Sequence, residues 1–517
     1  MDPHLQQLNA LMDAAARAVD AGDDARAEPL LLQIVALNPR DAEAWNTLAA
    51  IAVRGGRSAD AVDRARRAQE LDRHNPDYLN TLGVACSEAQ QPDQALTCFK
   101  RALKERPDFA DGHYNLGKVY GKLGRASEAE QAYLRARRLA PAKGEVAANL
   151  ATLYVRQGRH DEALALMADA RLRLPDNEAL VINTASALLA TSGPDAALRE
   201  LAGFLETHSS AAAAHAEFGR LLLAQGRFAE GWHEYAWRHG RTPSALPDCG
   251  GKRILLLPDQ GFGDHLFFLR FVRALRERAA HVTFACPPKL FELLDAGASL
   301  IELRRPEDGA AGFDLSLPIG DLPRLLDARD TPPPVAISVE HERVVRWRER
   351  LARLGPAPYL GVTWRAGARK ENRPEFAAQG EDPLQKEIDL ALLASAVRAW
   401  RGSVLVLQRL PLEGEVAAFG RALGRPCADL SAVNEDLADA AALLCVLDEY
   451  VGVSNTNMHI RAGVGKPARV AIPFPAEFRW MNAGSRSPWF PGFSLYRESP
   501  ARDWRRALTA LAHDLTA

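Results

Sequence analysis

Two stretches hold residue types whose spacing could do chemistry. In the first, "RILLLPDQGFGDHLFFLRFVRAL" from Arg253 to Leu275, an apolar run ends in two glycines and an acid, and apolar residues then resume at helical spacing. Gly261 and Gly263 let the backbone approach a ligand closely. Asp264 falls at a helix start, where the dipole favours a carboxylate, and a plain helix cap is one use for it. No third glycine follows three residues on, and no Gly-Lys-Ser/Thr follows either, so the stretch is neither a dinucleotide fingerprint nor a P-loop. The second stretch is "SNTNMHIRAGVGKP", Ser454 to Pro467, behind the apolar "EYVGV". Ser454, Asn455 and Thr456 can cap the helix that starts there. Its free amides and positive dipole end make an anion site, with His459 and Arg461 in the first turns, and a diphosphate is the natural ligand. A capped helix with a buried histidine is the other reading.

The elements that must position these residues alternate between short apolar runs and amphipathic helices. Strands are predicted at 253–257, 281–285, 314–317, 359–363, 403–407, 449–453 and 468–472. Helices are predicted at 264–278, 339–354, 390–400, 414–423, 437–446 and 455–464. Such alternation predicts parallel sheets covered on both faces. Two α/β units are expected, 253–355 and 356–517, facing a cleft with the ligand at the carboxyl ends of the strands. "PDQGFGDH", "TWRAGARKENR", Gln408 with Arg409, and the Ser454 segment all fall at those ends.

Composition narrows the functional classes. The chain has 517 residues with 64 basic and 66 acidic side chains, a formal net charge of −2. That balance offers no general attraction to nucleic acid or to an anionic membrane. The first residues lack the basic and apolar regions of a signal peptide, and no stretch reads as a membrane span. Six cysteines without C-x-x-C spacing read as reduced core residues of a cytoplasmic protein. No H-E-x-x-H occurs, so a metalloprotease is unsupported, and no metal site is expected.

The first half repeats itself. Leu48, Leu82, Leu116 and Leu150 recur every 34 residues, as do Ala61, Ala95, Ala129 and Ala163, while Pro107, Pro141 and Pro175 close successive units and Pro39 keeps the same register. This pattern resembles the tetratricopeptide repeat over residues 8–241, in about seven units, with less regular capping units at the ends. The expected organisation is an array over 1–241, then a proline- and glycine-containing linker over 242–252. In such arrays the first helix of each unit lines a concave groove. Here it carries Asn46, Asn80, Asn115, Asn149 and Asn183. A ladder of amides can hold the backbone of an extended peptide without reading its sequence; asparagine is also simply common at a solvated position of this repeat.

Residues 251–517 resemble the GT-B glycosyltransferases of the family 9, heptosyltransferase-like group, in the branch with amino-terminal tetratricopeptide repeats. The matching pieces are "GFGDHLFFLRF", "VTWRAG", "VSNTNMHIRAGVGKPARVAIP" and "FRWMNAGSRSPWFPGFSLYRE". The fold class implied is an all-α superhelical array followed by an α/β GT-B module of two Rossmann-like units. The resemblance assigns 253–355 to the acceptor and 356–517, with its terminal helix, to a nucleotide-sugar. That donor is a substrate, and no cofactor is implied. Family 9 enzymes usually carry an Asp-Thr pair where Ser454 and Asn455 stand, so ADP-heptose is not assumed as donor. The arrangement is also similar to O-linked N-acetylglucosamine transferases and to flagellin-modifying transferases, whose repeats deliver a protein acceptor.

The resemblance implies sugar transfer to a Ser or Thr hydroxyl, with Asp264 as general base and His265 in reserve. Gln260, Gly261 and Gly263 would form the acceptor loop. Asn455, Thr456, His459 and the helix amides would neutralise the leaving diphosphate, beside Ser454. Arg365, Lys370 and Lys386 would be charge partners, and Gln408 would touch ribose or base. Trp480, Trp489 and Phe490 are core residues or a sugar platform. Two alternatives stand beside this: a scaffold whose transferase-like half is inactive, and a transferase for surface polysaccharide or lipid.

Overall fold

The computed structural model describes residues 3–240, 242–245, 247–295, 301–366 and 386–516. The chain forms two compact units, Met1–Ala187 and Leu188–Ala517.

The first unit is a stack of helical hairpins. Ala42–Arg54 pairs with Ser58–Leu71, Pro76–Glu88 with Pro92–Glu105, Ala110–Lys122 with Ala126–Leu139, and Gly144–Arg156 with His160–Arg173. The repeated alanines Ala61, Ala95, Ala129 and Ala163 are fully buried where helices cross. A Cβ on Gly83 would lie 2.6 Å from the Phe99 ring, and one on Gly117 2.7 Å from the Tyr133 ring. The missing side chain in one helix is therefore what admits an aromatic ring from its partner. Each hairpin turns through a left-handed residue, Gly56, Gly124 and Gly158 in three repeats and Gln90 (φ 59°) in the fourth. The first helices of successive repeats pack on one another more closely than the second helices do, which puts them on the concave side.

The second unit opens with the helices Pro194–Thr207, Ala212–Ala224 and Phe228–Tyr235 and continues into two sheets. The compact boundary thus falls inside the helical array, not at the expected linker 242–252. The reason is packing. Leu223, Ala224 and Trp232 share a core with the sheet residues Ile254, Leu256 and Phe284, and the Trp232 ring meets Phe268, Phe271, Phe478 and Trp489 edge-on at 5.4 to 6.1 Å.

The strands are β1 (Arg253–Leu257), β2 (His281–Ala285), β3 (Glu302–Arg304), β4 (Leu315–Pro318), β5 (Tyr359–Val362), β6 (Ser403–Val406), β7 (Ala428–Asp429), β8 (Glu449–Val453), β9 (Arg469–Ile472) and β10 (Ser494–Arg497). Four form one sheet in the order β3-β2-β1-β4, and six form another in the order β10-β9-β8-β5-β6-β7. Every pairing between these described strands is parallel. Strand order reverses between β1 and β4 in the first sheet and between β5 and β8 in the second. Sheets of this kind bind ligands at the carboxyl ends of strands at that reversal. The edge strands β3, β7 and β10 are absent from the strands predicted from the sequence, and β3 and β7, of three and two residues, are too short to establish a period. Helices cover the sheets as expected, except that the predicted 264–278 helix is Phe262–Phe268 and Val272–Arg276 joined by a tighter turn.

Candidate functional site

Asp264 lies in the short helix after β1, and its two oxygens have different partners. Oδ2 accepts the Gly261 N–H at 3.1 Å and so closes its own helix start. Oδ1 accepts from the Arg479 guanidinium at 2.5 Å. Burial opposes the charge on Arg479, but the carboxylates of Asp264 and Glu477 outweigh it and hold the guanidinium above its ordinary pKa. The other arm of Arg479 donates to His459 Nε2 at 3.1 Å. A guanidinium cannot accept, so His459 is neutral with its proton on Nδ1. Burial, then Arg479 and Arg270, push its pKa well below the ordinary value. The expectation that His459 neutralises a diphosphate is therefore corrected. The buried cation in direct contact with His459 is Arg479.

Gly263 explains how the two helix starts come together. A Cβ there would lie 3.1 Å from His459 Cδ2 and 3.7 Å from Thr456 Cα. The glycine-acid loop after β1 thus packs against the first turn of the helix Thr456–Gly463 after β8. Asn455 caps that helix, accepting the Met458 N–H at 3.2 Å, and its Nδ2 donates to Thr363 Oγ1 at 3.0 Å. Ser454 donates to Glu477 Oε2 at 2.5 Å, and Lys386 pairs with the same carboxylate. Burial raises the Glu477 pKa, but Lys386 and Arg479 outweigh it, and the carboxyl stays far below its ordinary range.

Other expected site residues are engaged elsewhere. His265 accepts the Asp259 N–H on Nε2 at 3.0 Å, and burial lowers its pKa, so its ring supports the loop and is not free to take a proton from a substrate. Gln260, at φ 65°, donates to the Tyr235 hydroxyl at 3.1 Å. Arg365 is 6% exposed and paired with Glu415 at 2.6 Å, which corrects its expected role as a donor charge partner. Gln408 is fully buried. Its oxygen accepts from the Trp364 and Arg365 amides, and its nitrogen donates to the Arg365 and Arg409 carbonyls. Nothing of it is left for a ribose or base. Lys370 lies outside the described residues. Trp480, Trp489 and Phe490 are core, at 1% exposure or less.

Sequence reasoning missed Arg479, Arg270, Glu477, Arg238 and Asp259. Arg238 pairs with Asp259 at 2.5 Å and Asp321 at 2.8 Å, at the β1–β4 reversal. Gly320 makes room for it, since a Cβ there would collide with Asp259 Oδ2. The available signal was charge inside an aromatic run, as in Phe478-Arg479-Trp480 and Leu269-Arg270-Phe271, because a charged residue in a core segment needs partners.

In the first unit the asparagines are half-buried, and all but Asn46 are tied across repeats. Asn115 donates to Asn80 at 3.0 Å, Asn149 to the Tyr114 hydroxyl at 2.9 Å, and Asn183 to Thr152 at 3.0 Å. The Asn46 side-chain oxygen is buried without a partner among the described residues. Part of the amide of Asn80, Asn115, Asn149 and Asn183 is thus spent between repeats. In the charged cluster and the groove alike, no group of three or more His, Cys, Asp or Glu suited to a metal occurs among the described residues. Nor is any described helix long and apolar enough to cross a membrane.

The hairpins belong to a recognised class. Tetratricopeptide-repeat models match residues 12–76, 85–124 and 110–143, so the chain carries tetratricopeptide repeats, followed by a region of parallel sheets. Over nearly its whole length the chain is similar to protein FlbA of Caulobacter vibrioides, at 24% identity across 96% of this chain and 88% of that one. Among solved structures, a thermophilic TPR protein of Thermus thermophilus is 27% identical with a TM-score of 0.32, covering 35% of this chain and 99% of its own. A tetratricopeptide repeat protein from Parabacteroides merdae is 20% identical with a TM-score of 0.39, covering 46% and 93%.

Proposed function

We propose that the protein is a GT-B glycosyltransferase that moves a sugar from a nucleotide-sugar to a Ser or Thr hydroxyl of a protein held by the repeat groove. The observation that carries this reading is the meeting of two strand-end devices. One is a glycine loop bearing the carboxylate of Asp264, and the other is an asparagine-capped helix start suited to a diphosphate. Asp264 is the general base, and the helix amides with Asn455 and Thr456 receive the leaving diphosphate. The half-buried asparagines keep free amide groups for an acceptor backbone, and flagellin belongs to the acceptor class that the family resemblance brings. The protein is incubated with UDP-, GDP-, ADP- and CMP-sugars, and melting is followed. One donor class is expected to raise the melting temperature. Intact-mass analysis of co-expressed acceptor proteins, with wild type and with Asp264→Asn, then tests transfer. No response to any donor overturns the reading.

A second reading, a tetratricopeptide scaffold whose sheet region is inactive, draws on the internal engagement of Arg365 and Gln408. It expects partner capture by the array and no mass shift on the partner.

A further inference from the structure

Around His459 the charges do not balance. Arg479, Arg270 and Lys386 supply three cations, Asp264 and Glu477 two carboxylates, and His459 itself is neutral. Arg270 is 5% exposed, and its guanidinium donates to the carbonyls of Phe267, Pro332 and Trp489. No carboxylate pairs with it among the described residues. Arg479 has a side chain only 7% exposed, and its Nε is buried without a partner among the described residues. A buried excess of positive charge is costly, and an incoming anion relieves it.

The two carboxylates are not held alike. Glu477 is fixed by Lys386, Ser454 and the Trp480 indole. Asp264 touches the cluster through one oxygen, and its side chain keeps 21% exposure. It is the counter-ion that can leave.

We propose that Arg479 is an exchangeable cation: Asp264 is its resting counter-ion, and a phosphate of an arriving donor displaces Asp264 from it. One ion-pair exchange then binds the anion and frees the carboxylate to face an acceptor hydroxyl, which orders binding as donor first and acceptor second. No covalent bond changes in this step. The proposal rests on the nucleotide-sugar reading for the identity of the anion, while the exchange itself needs only a diphosphate.

The test titrates inorganic pyrophosphate into the full-length protein by calorimetry at low salt. Asp264→Asn removes the competing charge and keeps the side-chain shape, so it is expected to bind pyrophosphate about tenfold more tightly than wild type. Arg479→Gln is expected to weaken binding by about tenfold or more. Because Arg479→Gln leaves the Asp264 carboxylate unpaired and can lose its fold, the gain in Asp264→Asn decides: misfolding does not produce tighter binding. Equal or weaker binding by Asp264→Asn, or no binding by either protein, overturns the exchange. The two readings fail separately. A gain with pyrophosphate but no response to any nucleotide-sugar leaves the exchange standing without the transferase. A bound nucleotide-sugar with no effect of Asp264→Asn on pyrophosphate does the reverse.

Discussion

The side-chain amide of Asn455 donates to Thr363 Oγ1 at 3.0 Å, joining the carboxyl ends of β8 and β5 where the strand order of the six-stranded sheet reverses. The same side chain caps the helix Thr456–Gly463 through its oxygen. One residue thus shapes both walls of the crevice in which such sheets bind ligands. Asn455→Ala removes cap and bridge together and is expected to cost about 1–2 kcal/mol in denaturant unfolding. Asn455→Asp keeps a capping oxygen and loses only the donor. It should therefore retain most of the stability, and a full loss would show that the bridge matters more than the cap.

Gly263 and Gly261 separate close approach from mere loop freedom. A Cβ at Gly263 meets His459 at 3.1 Å, whereas one at Gly261 meets only Asp264 Oδ2, at 3.3 Å. Gly263→Ala is expected to destabilise by about 1–3 kcal/mol through overpacking between the two helix starts. Gly261→Ala is expected to be milder. Parallel melting curves check the order.

Gln408 distinguishes a structural amide from a nucleotide contact. Gln408→Ala strands the Trp364 and Arg365 amides and the Arg365 and Arg409 carbonyls in the interior, at about 1–3 kcal/mol for each unsatisfied group. A large drop in melting temperature is expected. Unchanged stability with weaker donor binding would return Gln408 to the ligand.

The hairpin turn at Gln90 stands where other repeats place Gly56, Gly124 and Gly158, all at positive φ. Gln90→Gly relieves a left-handed conformation that a side chain resists, and is expected to stabilise the first unit by about 1 kcal/mol. Urea unfolding of the variant beside wild type measures it.

Acid should weaken the sheet unit in two stages. His265 and His459 have folded pKa values below the ordinary 6.5, so the unfolded chain binds protons that the folded one refuses. Stability is complete above that value and falls as pH drops through it. Glu477, depressed from 4.5, adds a second loss below that pH. Melting temperature measured from pH 8 to pH 4 should show the first decline starting near 6.5, and His459→Gln should flatten it. A level profile down to pH 5 would contradict the neutral, buried state of both rings.

The repeat period, the alternation of strands with helices and the asparagine cap of the helix Thr456–Gly463 were legible in the sequence. Each depends on residues close along the chain: a period needs only its own register, and a cap needs only the next turn. The same locality limited the reading elsewhere. The site's principal cation, Arg479, meets Asp264 across 215 positions, and the buried Arg238–Asp259 pair reaches across 21. Local pattern ranks Arg365, Gln408 and His459 as free polar groups at strand ends. Which of them face solvent, and which are spent on Glu415, on backbone amides or on Arg479, depends on how burial and charge distribute once the sheets pack. Chain order settled the repeats and the longer strands and helices, because secondary structure answers to neighbours. Tertiary structure decided which charges pair and which remain for a ligand, because electrostatics answers to distance in space and to exclusion of water.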